Sequence, residues 1–172
     1  MERGRVKIKA RDIAELGMMI AVIEAAKLQL SFLPNVELVS LLIILFTLYA
    51  GPKVLYAIAG FVLLEGCIYG FGIWWIMYIY VWPILAGLTW LMRKNQTTLP
   101  FAILSGAFGL GFGAMCSIPY LFVGGVNMAF SWWVAGIPYD ILHGVSNLIL
   151  CLLLFKPLNR ALKRLKQGTG RE

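Results

Sequence analysis

Lysine and arginine occur in only some of the short connectors between the long apolar runs of this chain. They precede the first run, separate the second from the third and the fourth from the fifth, and follow the last: Arg3, Arg5, Lys7, Lys9, Arg11, Lys53, Arg93, Lys94, Lys156, Arg160, Lys163, Arg164, Lys166 and Arg171. The connectors 31–36, 70–74 and 124–136 carry neither residue. Cytoplasmic connectors of membrane proteins are enriched in these cations. The pattern therefore predicts six membrane spans with both termini in the cytoplasm.

The apolar runs give the limits of these spans, which we predict at 12–32, 37–50, 53–70, 74–92, 99–123 and 137–156. The chain has 172 residues, of which 60% are hydrophobic and 13% are charged. A soluble domain with so little polar surface would aggregate. We therefore expect one all-α integral membrane domain over residues 1–172. It has a basic cytoplasmic N-terminus over 1–11, and over 157–172 a basic amphipathic helix on the cytoplasmic surface.

The net charge of +7 does not indicate a nucleic-acid partner. The cations flank apolar runs, and this arrangement favours contact with anionic lipid of the bilayer. The three cysteines, Cys67, Cys116 and Cys151, fall in separate runs without Cys-x-x-Cys spacing. We interpret them as small buried apolar residues, not as metal ligands or a disulfide framework.

Ionisable side chains inside spans cost about 2.5–3.5 kcal/mol each, so they point to function by default. Counting about 1.5 Å of rise per residue, most of them lie in the outer half of the bilayer. Asp140, His143 and Asn147 share one helix face by their spacing. Tryptophans and tyrosines of the outer connectors could stack on a flat ligand. The candidate substrate-binding residues are Lys27, Asn35, Glu37, Glu65, Trp74, Trp75, Tyr78, Asn127, Trp132, Trp133, Asp140, His143 and Asn147.

Each candidate also has a purely structural interpretation. Lys27 could pair with Glu24 three residues earlier, and Glu37 or Asp140 could stabilise the start of a helix. A lone His143 is more often a packed, hydrogen-bonded side chain than a ligand. The aromatic residues could form the interfacial belt of a membrane protein. Glu65 alone has no local partner to explain it.

Small residues form two stripes at three- or four-residue spacing, which lets helices approach closely in lipid. For the stripe Ala102, Gly106, Gly109 and Gly113, packing inside the protein is a sufficient explanation. Gly17, Ala21 and Ala25 form the other stripe, in the first span. For that stripe a partner protein is an equally good explanation.

Several local stretches of this chain resemble the substrate-binding S components of energy-coupling factor (ECF) transporters, which import vitamins. They are residues 14–21 (AELGMMIA), 31–37 (SFLPNVE), 51–53 (GPK), 136–144 (GIPYDILHG) and 155–158 (FKPL). The family carries an alanine pair four residues apart in its first helix. Gly17 and Ala21 match these positions, with glycine in place of the first alanine. The resemblance extends over essentially the whole chain, although its motifs are loose.

The resemblance implies a subunit that binds a micronutrient from outside in its outer half. It implies docking through the first span onto a membrane coupling subunit that carries two ATPase subunits, followed by toppling of the S component to release substrate inside. It implies no cofactor and no ATP site in this chain. The pattern is closest to members proposed to take up cobalamin. A queuosine precursor, pantothenate, or a thiamine or pyridoxine precursor also fits.

Three other classes compete with this interpretation, and one of them, a purely structural membrane protein, would not need Glu65. An intramembrane enzyme needs a nucleophile beside a base or clustered metal ligands, and the chain has one histidine and no Gly-x-Ser-x-Gly arrangement. We therefore expect no catalytic activity. A stand-alone carrier or channel for a small organic solute is the second rival. Such carriers often contain internal repeats around a midplane site, and no repeat is visible here.

Overall fold

A computed structural model describes residues 9–95 and 97–168, and all of its regular elements are helical. The helices are α1 (Ala10–Leu30), α2 (Val39–Ala50), α3 (Val54–Tyr69), α4 (Ile73–Leu91), α5 (Thr98–Leu110), α6 (Phe112–Cys116) and α7 (Ile118–Gly168). A 3₁₀ turn, Gly51–Lys53, joins α2 to α3. Non-helical backbone at Gly124 and Gly125 breaks α7 near its start.

Three helical stretches are long and apolar enough to cross a membrane: Val39–Tyr69, Ile73–Leu91 and Ile118–Gln167. The first of them combines α2, the 3₁₀ turn and α3. Helix α5 is apolar but shorter. Many large apolar side chains point away from the core, including Phe122 at 88% exposure. The chain is thus an all-helical protein with the composition of a membrane protein.

The first four predicted spans agree with helices α1 to α4 to within two residues at each end. The fifth prediction was wrong in detail. Residues 99–123 do not form one helix, because the backbone is interrupted at Gly111 and Ser117. The run is divided into α5, the five-residue α6 and the first turns of α7. Glycine favours such an interruption because it lowers helix propensity.

The predicted outer connector 124–136 was also wrong beyond its first two residues. Helix α7 resumes after Gly125, whose φ of +75° is in the left-handed region, and continues to Gly168. Pro138, one residue after the predicted start of the sixth span at 137, lies inside this helix. Trp132 stacks on Tyr120 at 5.0 Å between ring centroids, so the tryptophan-rich segment packs as helix. Residues 157–168 of the predicted helical tail are a direct continuation of α7. Residues 169–172 of that tail, and residues 1–8 of the predicted basic N-terminus, lie outside the described residues.

Helix pairs are aligned by contacts at both of their ends. Helices α1 and α3 run parallel, because Asp12 pairs with Lys53 at one end and Lys27 pairs with Glu65 at the other. The ends of α2 and α4 lie together, since a side chain at Gly51 would meet the Trp90 ring at 3.2 Å. The turn at Gly51 therefore reverses the chain between α2 and α3.

Helices α5 and α7 pack through the predicted stripe of small residues. A Cβ at Gly109 would lie 2.8–2.9 Å from backbone atoms of His143 and Gly144, closer than real Cβ atoms approach. Phe101 and Phe155 stack at 5.1 Å toward the other end of the same interface. The prediction that this stripe packs within the protein is confirmed.

Two of the three cysteines have the predicted environment. Cys116 and Cys151 are buried among apolar side chains. Cys67 is exposed, so its predicted burial was wrong. It lies on the face of α3 that points away from the bundle, where neighbouring Ile68 is also half-exposed.

Candidate substrate-binding site

Helices α1 and α3 hold a cluster of charged residues, here called the α1–α3 charge cluster, which comprises Glu24, Lys27 and Glu65. The ammonium of Lys27 forms an ion pair with the carboxylate of Glu65. It also lies 4.7 Å from the ring centroid of Tyr69 and 5.7 Å from that of Tyr78, in cation–π range. Lys27 thus pairs with Glu65 across two helices, and not with Glu24 in its own helix.

Glu24 is the least satisfied member of this cluster. Its side chain lies beside those of Glu65 and Lys27 and is only 7% exposed. Within residues 9–95 and 97–168, neither Glu24 oxygen nor Oε1 of Glu65 makes a hydrogen bond of good geometry, although the two carboxyl groups lie close enough to share one. One ammonium therefore serves two buried carboxyl groups. Buried polar groups without partners are rare in folded proteins and call for an explanation.

A second set of polar side chains, the α2–α7 polar cluster, comprises Glu37, Ser40, His143 and Asn147. Oε1 of Glu37 lies 3.1 Å from Nε2 of His143. Oε2 of Glu37 accepts a 2.8 Å hydrogen bond from the backbone N–H of Ser40, at the start of α2. Nδ2 of Asn147 donates to the Ser40 hydroxyl at 3.2 Å. Glu37 therefore caps α2 as the structural interpretation predicted, and in addition holds His143.

Asp140 begins no helix, contrary to its structural interpretation, because it lies well inside α7. Its Oδ1 accepts a 2.9 Å hydrogen bond from the backbone N–H of Gly113, an N–H that short helix α6 cannot satisfy itself. Its Oδ2 is buried and has no partner in the described part of the chain. The predicted shared face is confirmed, since Asp140, His143 and Asn147 are all buried.

A row of aromatic rings, here called the aromatic row, connects the two clusters. Successive ring centroids lie 5.0–5.7 Å apart, and the members in order are Trp74, Tyr78, Trp82, Phe112 and His143. Tyr78 faces Lys27 at one end, and His143 contacts Glu37 at the other. The indole N–H of Trp82 is buried without a partner in the described residues. Successive rings meet at interplanar angles of 45–88°, so the row is a chain of edge-to-face and tilted ring contacts with polar groups at both ends.

Other predicted site residues lie near these clusters but serve packing. The Trp75 indole donates a 2.7 Å hydrogen bond to the carbonyl of Val62, which ties α4 to α3. The Asn35 carbonyl accepts from the Ser146 hydroxyl at 3.0 Å, which ties the α1–α2 connector to α7. Both contacts hold the helices that carry the clusters.

Three predicted residues are not brought into either cluster. Trp132 stacks on Tyr120, and Trp133 packs edge-on against Phe130 at 6.2 Å. Asn127 is exposed near the start of the long part of α7. These residues were assigned to an outer connector that folds as helix, which separates them from the polar groups.

Sequence reasoning missed Glu24, Ser40, Tyr69 and Trp82 as members of the site. Glu24 carried a usable signal, because it is a second ionisable group one helical turn before Lys27. Ser40 and Trp82 carried none, since serine and tryptophan are ordinary in membrane helices. Among the described residues no group of three His, Cys, Asp or Glu side chains could hold a metal ion.

The predicted docking stripe on α1 lies on the surface. Gly17, Ala21 and Ala25 are all exposed, and a Cβ added at Gly17 would meet no atom within 4 Å. The opposite face of α1 packs into the bundle through Met19 and Ile23. The α1 stripe is therefore a smooth face that no described part of this chain covers.

No protein-family description, no curated protein and no solved structure matches this chain. Function is therefore argued from the site.

Proposed function

We propose that this protein is the substrate-binding S component of an ECF-type importer and captures a vitamin-type micronutrient. The observation that carries the proposal is the grouping of unpaired buried polar atoms around the aromatic row. Among the described residues, five of the six such atoms belong to Glu24, Glu65, Trp82 and Asp140, and the sixth is the Ser105 hydroxyl on α5. The Lys27 ammonium that pairs with Glu65 faces Tyr78, Trp82 is itself a member of the row, and Asp140 accepts from the N–H of Gly113, the residue after Phe112.

Such a grouping suits a polar ligand that carries rings. Leaving a buried polar group unpaired costs about 1–3 kcal/mol, so ligand groups that pair with several of them gain affinity. Aromatic side chains add stacking surface for a flat ring. Ligand pockets combine these two features, an apolar wall with a few convergent polar groups. Cobalamin is the first compound to test, followed by the other vitamins and precursors named above.

The exposed α1 stripe supports the second half of the proposal, docking on a partner. Small residues at four-residue spacing allow close helix contact in lipid, where bulky side chains would hold helices apart. In the proposed cycle, Gly17, Ala21 and Ala25 contact a membrane coupling subunit that carries two ATPase subunits. The loaded protein then topples and releases its substrate inside.

We further propose six spans with both termini in the cytoplasm of a prokaryotic cell, in its plasma membrane. The distribution of lysine and arginine supports this orientation. The directions of α1 and α3 are compatible with this orientation. The Asp12–Lys53 pair lies at the proposed cytoplasmic end of these two helices, and the α1–α3 charge cluster lies at their opposite end. Both polar clusters then face the outer half of the membrane.

A thermal-shift titration of the purified full-length protein tests the proposal. A ligand that binds only the folded state adds about 2.7 kcal/mol at a hundredfold excess over its Kd. We expect one compound in a vitamin panel that includes cobalamin to raise Tm clearly in the absence of any partner. If every compound leaves Tm unchanged, autonomous capture of a vitamin is excluded for the panel and the proposal loses its main support.

Two substitutions locate the ligand within the protein. Asp140→Asn keeps an oxygen for the Gly113 N–H, so the fold should survive while the unpaired Oδ2 is lost to the ligand. We expect the Kd of the ligand for the Asp140→Asn protein to rise about tenfold or more. The Kd for Glu15→Gln, a variant at a remote carboxyl group, should stay unchanged. Equal Kd values for both variants would remove Asp140 from the binding site.

A stand-alone carrier is the second candidate, favoured by the buried Lys27–Glu65 pair, since intramembrane ion pairs often mark solute or ion pathways. The two functions differ in their need for ATPase subunits. Vesicles that contain this chain alone should show no uptake if it is an S component. Uptake without the energising module would establish the carrier.

A further inference from the structure

A cavity of about 330 Å³ lies at the end of the bundle opposite the polar clusters. It is bounded by the ends of α2 and α4, the start of α5 and the last turns of α7. Its aromatic lining includes Tyr49, Trp90, Phe101 and Phe155. Neither the proposed substrate site nor the exposed α1 stripe includes any of these residues.

The lining of this cavity is cationic. Arg93 and Lys163 line it together with the amides of Asn95 and Asn159, and no aspartate or glutamate occurs among the described lining residues. The Arg93 guanidinium is held in place, since it stacks 4.4 Å over the Trp90 ring and its Nη1 donates to the Trp90 carbonyl at 2.9 Å. A cavity that concentrates cations without acids attracts an anion.

Exposed apolar surface lies on α4 and α5, the two helices whose ends meet at this cavity. Leu91, two residues before Arg93, is 75% exposed, and Leu99, at the start of α5, is 57% exposed. Both belong to apolar helices, so this surface faces lipid tails in a membrane. An anion that fills the cavity and continues over these leucines must itself carry an apolar tail.

We propose that this cavity binds the headgroup phosphate of an anionic phospholipid, whose acyl chains lie along Leu91 and Leu99. Arginine contributes paired N–H donors to phosphate oxygens, and Lys163 contributes a mobile ammonium. The asparagine amides suit the hydroxyls of a glycerol headgroup. Basic pockets between helices at the cytoplasmic face bind anionic lipid in this way. The proposal needs only membrane residence and does not depend on transport.

The test is a thermal-shift titration of full-length protein in uncharged detergent with phosphatidylglycerol, phosphatidylcholine and inorganic phosphate. Salt is kept at physiological strength, where charges more than about 8 Å apart are largely screened. We expect phosphatidylglycerol to raise Tm and the other two additives to leave it unchanged. A comparable rise with phosphatidylcholine would show that acyl chains alone bind. A comparable rise with inorganic phosphate would show a site for free phosphate. Either result overturns the proposal.

Matched variants separate the cavity from the basic surface. The double variant Arg93→Gln/Lys163→Gln should weaken phosphatidylglycerol binding about tenfold or more, since it removes two charge-assisted contacts with the phosphate. The double variant Lys156→Gln/Arg160→Gln removes the same charge outside the cavity and should weaken binding less than about threefold. Equal losses would assign the effect to the general surface and refute the site.

A cavity-filling variant covers the case in which the charge variant does not fold. Asn159→Trp keeps every cation and occupies the cavity, so it should abolish the Tm rise with phosphatidylglycerol. Retention of the full rise in a folded Asn159→Trp protein would show that the lipid binds elsewhere.

Discussion

At the scale of single residues, the Lys27–Glu65 pair is unusual because its partners differ in burial. The Glu65 side chain is fully buried, whereas that of Lys27 is 27% exposed. Moving a charge out of water costs several kcal/mol unless the attraction of a nearby opposite charge offsets this cost. Glu65 therefore depends on Lys27 more than Lys27 depends on Glu65, because the ammonium can still reach water along its long stem.

This asymmetry predicts unequal effects of removing either partner. Lys27→Met leaves Glu65 and Glu24 buried without a cation and should cost about 3–5 kcal/mol of unfolding free energy. Glu65→Leu should cost less, because Lys27 keeps access to water and to Glu24. The double variant should be more stable than Lys27→Met alone. Thermal unfolding of the purified proteins measures the order of their stabilities. Equal Tm values for the unchanged protein, the two single variants and the double variant would contradict the prediction.

At the scale of helices, α5 and α7 approach each other so closely that backbone atoms of one lie beside glycines of the other. Gly106 and Gly109 on α5 meet Gly144 and Leu148 on α7, with backbone atoms of the two helices within reach of any added Cβ. Small residues are the means by which membrane helices gain packing energy, because lipid provides no hydrophobic drive to bring them together. Since α7 also carries Asp140, His143 and Asn147, this contact positions half of the candidate site.

Gly109→Ala should therefore push α5 from α7. The added methyl group would overlap backbone atoms of His143 and Gly144, which cannot rotate away. We expect a loss of about 1–3 kcal/mol of stability, together with weaker ligand binding.

Gly87→Ala is the matched control for Gly109→Ala. A Cβ at this α4 position meets nothing within 4 Å. It should be neutral or raise stability by about 0.5–1 kcal/mol through helix propensity. Thermal unfolding of both variants decides the point, and a Gly109→Ala protein as stable as Gly87→Ala would show that the interface is looser than described.

At the scale of the whole molecule, one face of α1 is left without a partner while the rest of the helix joins the bundle. In the proposed assembly, this smooth face is where the coupling subunit docks. The α1 stripe and the polar clusters lie on different parts of the molecule, so docking and substrate capture can be disrupted separately.

Ala21→Trp should therefore block assembly with the coupling subunit and its two ATPases while leaving ligand affinity unchanged. The reason is steric, because an indole on the α1 stripe prevents close helix contact. Ala107→Trp, an equally exposed small residue on α5, is the control and should assemble normally. Copurification of the co-expressed subunits measures the result. A complete complex with Ala21→Trp would refute docking through this face.

The proposed orientation makes a separate prediction. A tag inserted after Gly70, between α3 and α4, should be cleaved when intact cells are treated with protease. A tag at the C-terminus should be protected until the membrane is opened, because cation-rich segments stay in the cytoplasm. The reverse pattern would overturn the orientation and place both polar clusters toward the cytoplasm.

The sequence by itself determined where most helices lie, because burial in lipid depends on local composition. The limits of α1 to α4 followed from the lengths of the apolar runs, and the shared face of Asp140, His143 and Asn147 followed from helical periodicity. The packing role of the Gly106 and Gly109 stripe was also readable, since only small side chains permit close approach. The course of residues 99–136 could not be read from the sequence. Glycine and proline mark positions where a helix can break, but they do not show at which of these positions the helix is interrupted.

Only the tertiary structure decided which polar groups meet. Lys27 and Glu65 are 38 positions apart, and Glu37 and His143 are 106 positions apart. No local pattern encodes such a pairing, because it depends on which helices become neighbours and on how each is rotated about its axis. Glu24 shows the same limit: its periodicity suggested a local partner for Lys27, but the approach of α3 placed Glu65 closer. A buried charge takes the partner that packing brings within reach, and that partner is set by the whole bundle.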